Sequence, residues 1–239
     1  MTHKPSCRVI FVRHGQTEWS KSGQYTSTTN LDLTPFGVKQ MRATGKSLIG
    51  HDPLNMINPK NITHVFTSPR SRAILTTQAL LEHIHQELTA PVLLDDDLAE
   101  WRYGEYEGMK TDEIRKSRKD RGIDAPDHRW TIWEDGCEGG EDYKDVTKRL
   151  DRFISRILEI HGKYLKESEP SDILVVAHGH ILRCLVARWV HRELNKDPQL
   201  ILDAGGVGVL SYQHNNIEEP AIYLAGAFTI PVHEMGEDV

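Results

Sequence analysis

Cysteine is scarce in this chain: Cys7, Cys137 and Cys184 are the only three in 239 residues, far apart and without a CxxC pair. Their scarcity argues against a disulfide framework and a zinc ribbon and points to a reducing compartment, the cytoplasm by default and the nucleus as the alternative. Long apolar runs are missing too, and no stretch approaches the roughly 18 residues of a membrane span, so no membrane partner is expected. The opening Met-Thr-His-Lys-Pro-Ser-Cys-Arg has no apolar core of a secretory signal. Positive charge is in deficit: 29 Lys and Arg against 35 Asp and Glu leave a net charge of −6. A nucleic-acid binder normally carries a basic excess gathered into a stripe, so no nucleic-acid partner is expected either. Histidine is what the chain has in plenty, with 13 copies of the side chain that titrates near neutral pH.

Short apolar runs alternate with amphipathic stretches. Val9–Val12, Ile62–Phe66, Pro91–Leu94 and Ile173–Ala177 read as strands, the last being the most apolar. Thr34-Pro35 predicts a helix start running to about Ile49, and Ser68-Pro69 predicts another ending near Leu88. Lys110 to Arg121 reads as a charged, solvated helix, and Pro126 to Gly140 as a loop holding Trp130 and Trp133. Val146, Leu150, Phe153, Ile154, Ile157, Leu158 and Leu165 recur at helical spacing, and Ile181 to Val190 forms an apolar helix. Val207–Tyr212 and Ala221–Ala225 read as a hairpin turning at Asn215-Asn216, while His83, His85 and His161 are predicted on helix surfaces. The alternation predicts a single α/β domain with a largely parallel sheet.

Three predicted strands end in polar residues of one character: Arg13-His14-Gly15-Gln16-Thr17, Thr67-Ser68-Pro69-Arg70 and His178-Gly179-His180. Ligands of open α/β sheets bind outside the carboxyl ends of the strands, so parallel neighbours would gather these residues in one place. Arg70, Arg72 and Arg183 fall in predicted first helical turns, where the macrodipole disfavours cations; a bound anion reverses that sign. The chain has no GxxxxGK[ST] loop, which excludes a P-loop nucleotide site, and no paired carboxylates at the strand ends for two-metal hydrolysis. His178-x-His180 lacks a third metal ligand at a credible spacing, so neither metal nor other cofactor is expected. Histidine remains as a nucleophile toward phosphorus, kept neutral by surrounding cations.

The run Val12 to Trp19 resembles the signature of the histidine phosphatase (phosphoglycerate mutase-like) superfamily, and Ser68–Ala73, Glu100–Gly108 and Ala177–His180 resemble its other blocks, in order. The resemblance implies a three-layer α/β/α sandwich with a mostly parallel central sheet. The whole chain, 1–239, would be one such domain, with a helical and loop insert at about 105–140 covering the site. It further implies His14 as phospho-acceptor, Arg13, Arg70 and His178 as the rest of the phosphate pocket, and Glu100 as proton donor to the leaving oxygen. Arg13 to Thr26 and the segment from Leu202 to Tyr212 are similar to the fungal sedoheptulose-1,7-bisphosphatase group, with Ser27 and Asn30 standing where relatives commonly carry Gly and Asp. That similarity implies a phosphorylated sugar as substrate, held by Tyr25, Thr26, Tyr103, Gly179, Arg183 and His214. Arg183 and His214 would take the distal phosphate, and the two tyrosine hydroxyls the sugar hydroxyls. A phosphoglycerate mutase, a broad-specificity sugar phosphatase and a phosphate-recognising binding module are the alternatives; a homo-oligomer is left open.

Overall fold

The computed structural model describes residues 7–52 and 54–224. β1 (Cys7–Arg13) and β4 (Ser171–Ala177) run parallel along their whole length, Cys7 opposite Ser171 and Arg13 opposite Ala177. β2 (Ile62–Thr67) flanks β4 on its other side, also parallel, and β3 (Val92–Leu94) closes that edge. β5 (Val207–Tyr212) is antiparallel to β1, and β6 (Pro220–Ile222) turns back along β5. The order β3-β2-β4-β1-β5-β6 makes a six-stranded, mostly parallel sheet. Every residue of β4 is buried, as a central strand covered on both faces requires.

Side-chain alternation along the strands divides the core into two layers. Val9, Phe11, Ile173 and Val175 face α6 (Tyr143–Glu167) and α7 (Gly179–Trp189). Ile10, Val12, Leu174 and Val176 face α2 (Pro35–Leu48) and α3 (Ser71–Leu81). The result is the expected α/β/α sandwich. The short α1 (Glu18–Ser22) follows β1, and α4 (Thr111–Asp120) and α5 (Ile132–Asp135) lie between β3 and α6. No helix among the described residues is long and apolar enough to cross a membrane.

Several local expectations need correction. Ser68-Pro69 does not open α3, which begins at Ser71 and gives way after Leu81 to a 3-10 turn at Glu82–Ile84, short of Leu88. The Ser68 N–H still belongs to the sheet, donating to the Val176 carbonyl, and its hydroxyl is engaged by His178. Asn30 caps the helix instead, its Oδ1 accepting from the Ser71 N–H. His161 is not on a helix surface but fully buried, its Nδ1 2.8 Å from the Tyr212 hydroxyl on β5. The expected loop from Pro126 to Gly140 is interrupted by α5, and Trp130 and Trp133 within it are buried. Ala225, at the end of the expected hairpin, lies outside the described residues.

Candidate active site

Parallel pairing brings the three polar strand ends together, as the sequence predicts. The His14 N–H donates to the Ala177 carbonyl at 2.9 Å and the Ser68 N–H to the Val176 carbonyl at 3.0 Å, so both chains leave the sheet beside the end of β4. α2 packs on one face of the sheet and α7 on the other, which opens a crevice between β1 and β4. Gly205, at φ +76°, ties the segment before β5 to the end of β1, giving its N–H to the carbonyls of Arg13 and His14. The crevice holds a pocket of about 330 Å³ whose lining includes Arg13, His14, Tyr25, Thr26, Glu100, Tyr103, Gly179, His180, Arg183 and the 200–203 segment.

His14 is buried in the pocket wall, with Nδ1 2.8 Å from its neighbour's carbonyl, Gly15 O. A carbonyl can only accept, so Nδ1 carries the proton of the neutral ring and Nε2 keeps its lone pair. Burial, then the charges of Arg13 and Arg72, hold the ring well below the usual histidine range. His178 meets it edge-on, with ring centroids 5.2 Å apart. Its Nδ1 accepts from Arg72 Nε at 3.1 Å, so Nε2 bears the proton and donates to Ser68 Oγ at 2.7 Å. Burial and the same arginines keep this ring neutral as well.

Sequence reasoning chose Arg70 for the pocket, yet Arg72 is the arginine that the fold places inside. Arg72 is fully buried; besides His178 it donates to the carbonyls of Thr26, Ser27 and Thr29. Arg70 occupies the cap position of α3, partly exposed, and adds to the positive surroundings of His178. α3 begins at Ser71, which leaves Arg70, the arginine that the resemblance implies, at the cap and puts Arg72 in the buried first turn. The Nε–H groups of Arg13, Arg70 and Arg183 are buried without an acceptor from the chain. Buried donors are normally satisfied, so the two that line one pocket, on Arg13 and Arg183, mark a place for an acceptor-rich ligand.

Glu100 is buried and its carboxylate is fixed on three sides, by the N–H groups of Trp101, Ile181 and His180 at 2.9, 2.9 and 3.0 Å. It thereby caps the N-terminus of α7, whose own cap residue His178 offers no side-chain bond. Gly179 lets Arg13 lie close: a Cβ there would sit 3.2 Å from the guanidinium carbon. Arg183 stacks on Trp133 at 4.7 Å and lies 3.7 Å from Asp197. Thr26 lines the pocket and is tied through its carbonyl to Arg72.

Both tyrosine hydroxyls are engaged within the protein. Tyr25 and Tyr103 pack at 4.7 Å, but the Tyr25 hydroxyl pairs with Thr111 and the Tyr103 hydroxyl with His180 Nδ1 at 2.7 Å. His180, which the sequence does not point to as a site residue, also lines the pocket. His214 is not brought to the pocket. Because β5 is antiparallel to β1, its start at Val207 lies opposite Val12 and its end at Tyr212 lies at the far side of the sheet. Five residues at about 3.3 Å each carry His214 away, to an exposed turn where it pairs with Glu219.

Glu107 is a further residue that spacing alone could not reveal. Its carboxylate accepts from the N–H groups of Ser27 and Thr29 and from the Ser27 hydroxyl, and these bonds hold it below the usual carboxylate range against the opposing cost of burial. Ser27 and Asn30 thus serve the loop carrying Thr26: one is gripped by Glu107, the other caps α3. The 105–140 segment backs the pocket, with Met109 bonded to the Tyr25 backbone and Trp133 beneath Arg183.

A family model, the histidine phosphatase superfamily (branch 1), matches residues 9–222. The chain is 46% identical to a sedoheptulose 1,7-bisphosphatase of Saccharomyces cerevisiae, over 95% of each chain. It is 32% identical to an acid phosphatase of Mycobacterium tuberculosis, over 92% of this chain and 93% of that one. In fold it is similar to a phosphoglycerate mutase from Bacillus anthracis, with a TM-score of 0.69, 19% identity and 93% and 94% of the two chains covered.

Proposed function

Since the chain belongs to the histidine phosphatase superfamily (branch 1) and is a phosphoric monoester hydrolase, we propose that it removes a phosphate from a sugar bisphosphate, foremost sedoheptulose 1,7-bisphosphate, through a phosphohistidine on His14. The observation that carries this reading is the single free lone pair of His14, on Nε2, in a pocket lined by Arg13 and Arg183, whose guanidinium Nε–H groups have no acceptor from the chain. The similarity to a yeast sedoheptulose 1,7-bisphosphatase supports the substrate class.

In the first step His14 Nε2 attacks phosphorus, the bond from phosphorus to the sugar oxygen breaks, and Glu100 gives its proton to the departing alkoxide. Arg13 in the pocket wall, with the charges of Arg72 and Arg70 around His178 behind it, balances the charge on the phosphoryl oxygens. In the second step Glu100 takes a proton from water, which attacks phosphorus. The P–N bond breaks, and inorganic phosphate and neutral His14 are restored. The aromatic faces of Tyr25 and Tyr103, with Thr26, Gly179 and His180, form the wall for the sugar. Arg183 is the cation available to the distal phosphate, without the help of His214.

A phosphatase screen over sedoheptulose 1,7-bisphosphate, fructose 1,6-bisphosphate and sugar monophosphates, with no metal added, tests the substrate. Hydrolysis is expected to favour the bisphosphates. His14→Ala is expected to remain folded and to lose at least about a thousandfold in turnover, as removal of a nucleophile does elsewhere. Turnover of 3-phosphoglycerate primed with 2,3-bisphosphoglycerate that exceeds hydrolysis would replace this reading with a mutase.

A further inference from the structure

Glu100 sits on a segment that has no strand or α-helix of its own, only the 3-10 turn Asp96–Leu98 just before it. A proton donor displaced by about 1 Å loses much of its effect, so besides the three N–H groups on its carboxyl, the backbone on either side needs a hold of its own. We infer that the buried Arg149–Glu141 pair is the positioning device for Glu100, an inference that rests on the reading of Glu100 as proton donor.

Arg149, on the inner face of α6, is 8% exposed and reaches across to the backbone just before Glu100. Its Nη1 donates to the carbonyls of Asp97 and Ala99 at 2.6 and 2.8 Å, while Nε and Nη2 engage the two oxygens of Glu141 at 3.0 and 3.1 Å. Glu141 grips the backbone just after Glu100. Its Oε2 accepts from the Arg102 N–H at 2.8 Å, its own N–H donates to the Arg102 carbonyl, and its carbonyl accepts from the Trp101 indole at 2.9 Å. The pair thus clamps residues 97, 99, 101 and 102, on both sides of the carboxyl, to a rigid helix of 25 residues.

The same helix carries Arg152 and Arg156, three and seven positions on, which hold the carboxylates of Asp97 and Asp95. Burying an ion pair contributes little net stability compared with an apolar pair of the same volume, so stability is a weak reason for this arrangement. Geometry is the stronger one. An ammonium could not replace the guanidinium, because one point charge cannot span two carbonyls and a carboxylate together.

The test separates proton donation from simple damage to the fold. Phenolate leaves without protonation whereas an alkoxide does not, and kcat/KM covers only the steps through the first phosphoryl transfer. Arg149→Lys and Glu141→Gln are measured on p-nitrophenyl phosphate and on fructose 1,6-bisphosphate, with Glu100→Gln as reference. Each positioning variant is expected to lose about tenfold or more on the sugar ester and less than about threefold on the aryl ester, the same direction as Glu100→Gln. Equal losses on both esters, or none, in the presence of a split for Glu100→Gln overturn the inference. No split for Glu100→Gln overturns the donor reading, and the inference falls with it. If Arg149→Lys does not fold, Glu141→Gln decides alone, since it keeps the Arg149 bonds to the carbonyls of Asp97 and Ala99.

Discussion

The Gly15 carbonyl selects the tautomer of His14, and burial with two arginines keeps the ring neutral, so the lone pair on Nε2 is present without any need for alkaline pH. Arg72 shows how one residue can serve several such ends. It fixes the tautomer of His178, lowers the proton affinity of both rings and ties down the Thr26–Thr29 loop. Arg72→Met would leave three carbonyls and His178 Nδ1 without their donor, and an expected loss of about 3–5 kcal/mol follows from breaking a buried charged network. Arg70→Met, at a partly exposed cap position, is expected to stay within about 1 kcal/mol of the parent while weakening phosphate binding. Urea denaturation of both variants checks the contrast; equal destabilisation would contradict the geometry described. The blocks lead to Arg13, His14, Glu100 and His178, which the fold brings to one crevice, whereas the burial of Arg72 rather than Arg70 is decided by tertiary packing.

Among the elements, α6 illustrates a signal that was present and misread. His161 follows Val146, Leu150, Phe153 and Ile157 on one stripe, four residues after the last, and is buried with them against β5. Burial, then the charge of His64, pushes it down to about 3 from an ordinary 6.5. Between those values the unfolded chain binds more protons than the folded one. The stability this histidine contributes is therefore complete above about pH 6.5 and is lost as pH falls toward 3. The slope is about 1.4 kcal/mol per pH unit for each such histidine. His161→Gln keeps an acceptor for the Tyr212 hydroxyl and removes the titration, so its stability, followed by thermal melting from pH 7 to 4, should fall less steeply than that of the parent.

For the molecule as a whole, a net charge of −6 coexists with a cationic crevice, because Arg13, Arg70, Arg72 and Arg183 are brought to the ends of β1, β2 and β4. Attraction of a bisphosphate into such a crevice is a field effect that salt screens. The kcat/KM for a bisphosphate is expected to fall severalfold as ionic strength rises from about 0.02 to 0.3 M, over which the screening length shrinks below the pocket's dimensions. Arg183→Gln should flatten that dependence for bisphosphates more than for monophosphates. A salt response unchanged by Arg183→Gln would place the distal phosphate elsewhere. A chelator is expected to leave turnover unaltered.

Local sequence was enough for the strands, for the helix starting at Thr34-Pro35 and for the polar blocks at three strand ends, because apolar periodicity and capping act within a few residues. It was not enough for His214, whose distance from the pocket follows from the antiparallel course of β5. Nor was it enough for Glu107 or the Arg149–Glu141 clamp, which join segments far apart in the chain. Periodicity carries no information about such pairings. They exist only once two faces of the sheet are covered, water is excluded, and each buried charge must find its partner across the fold.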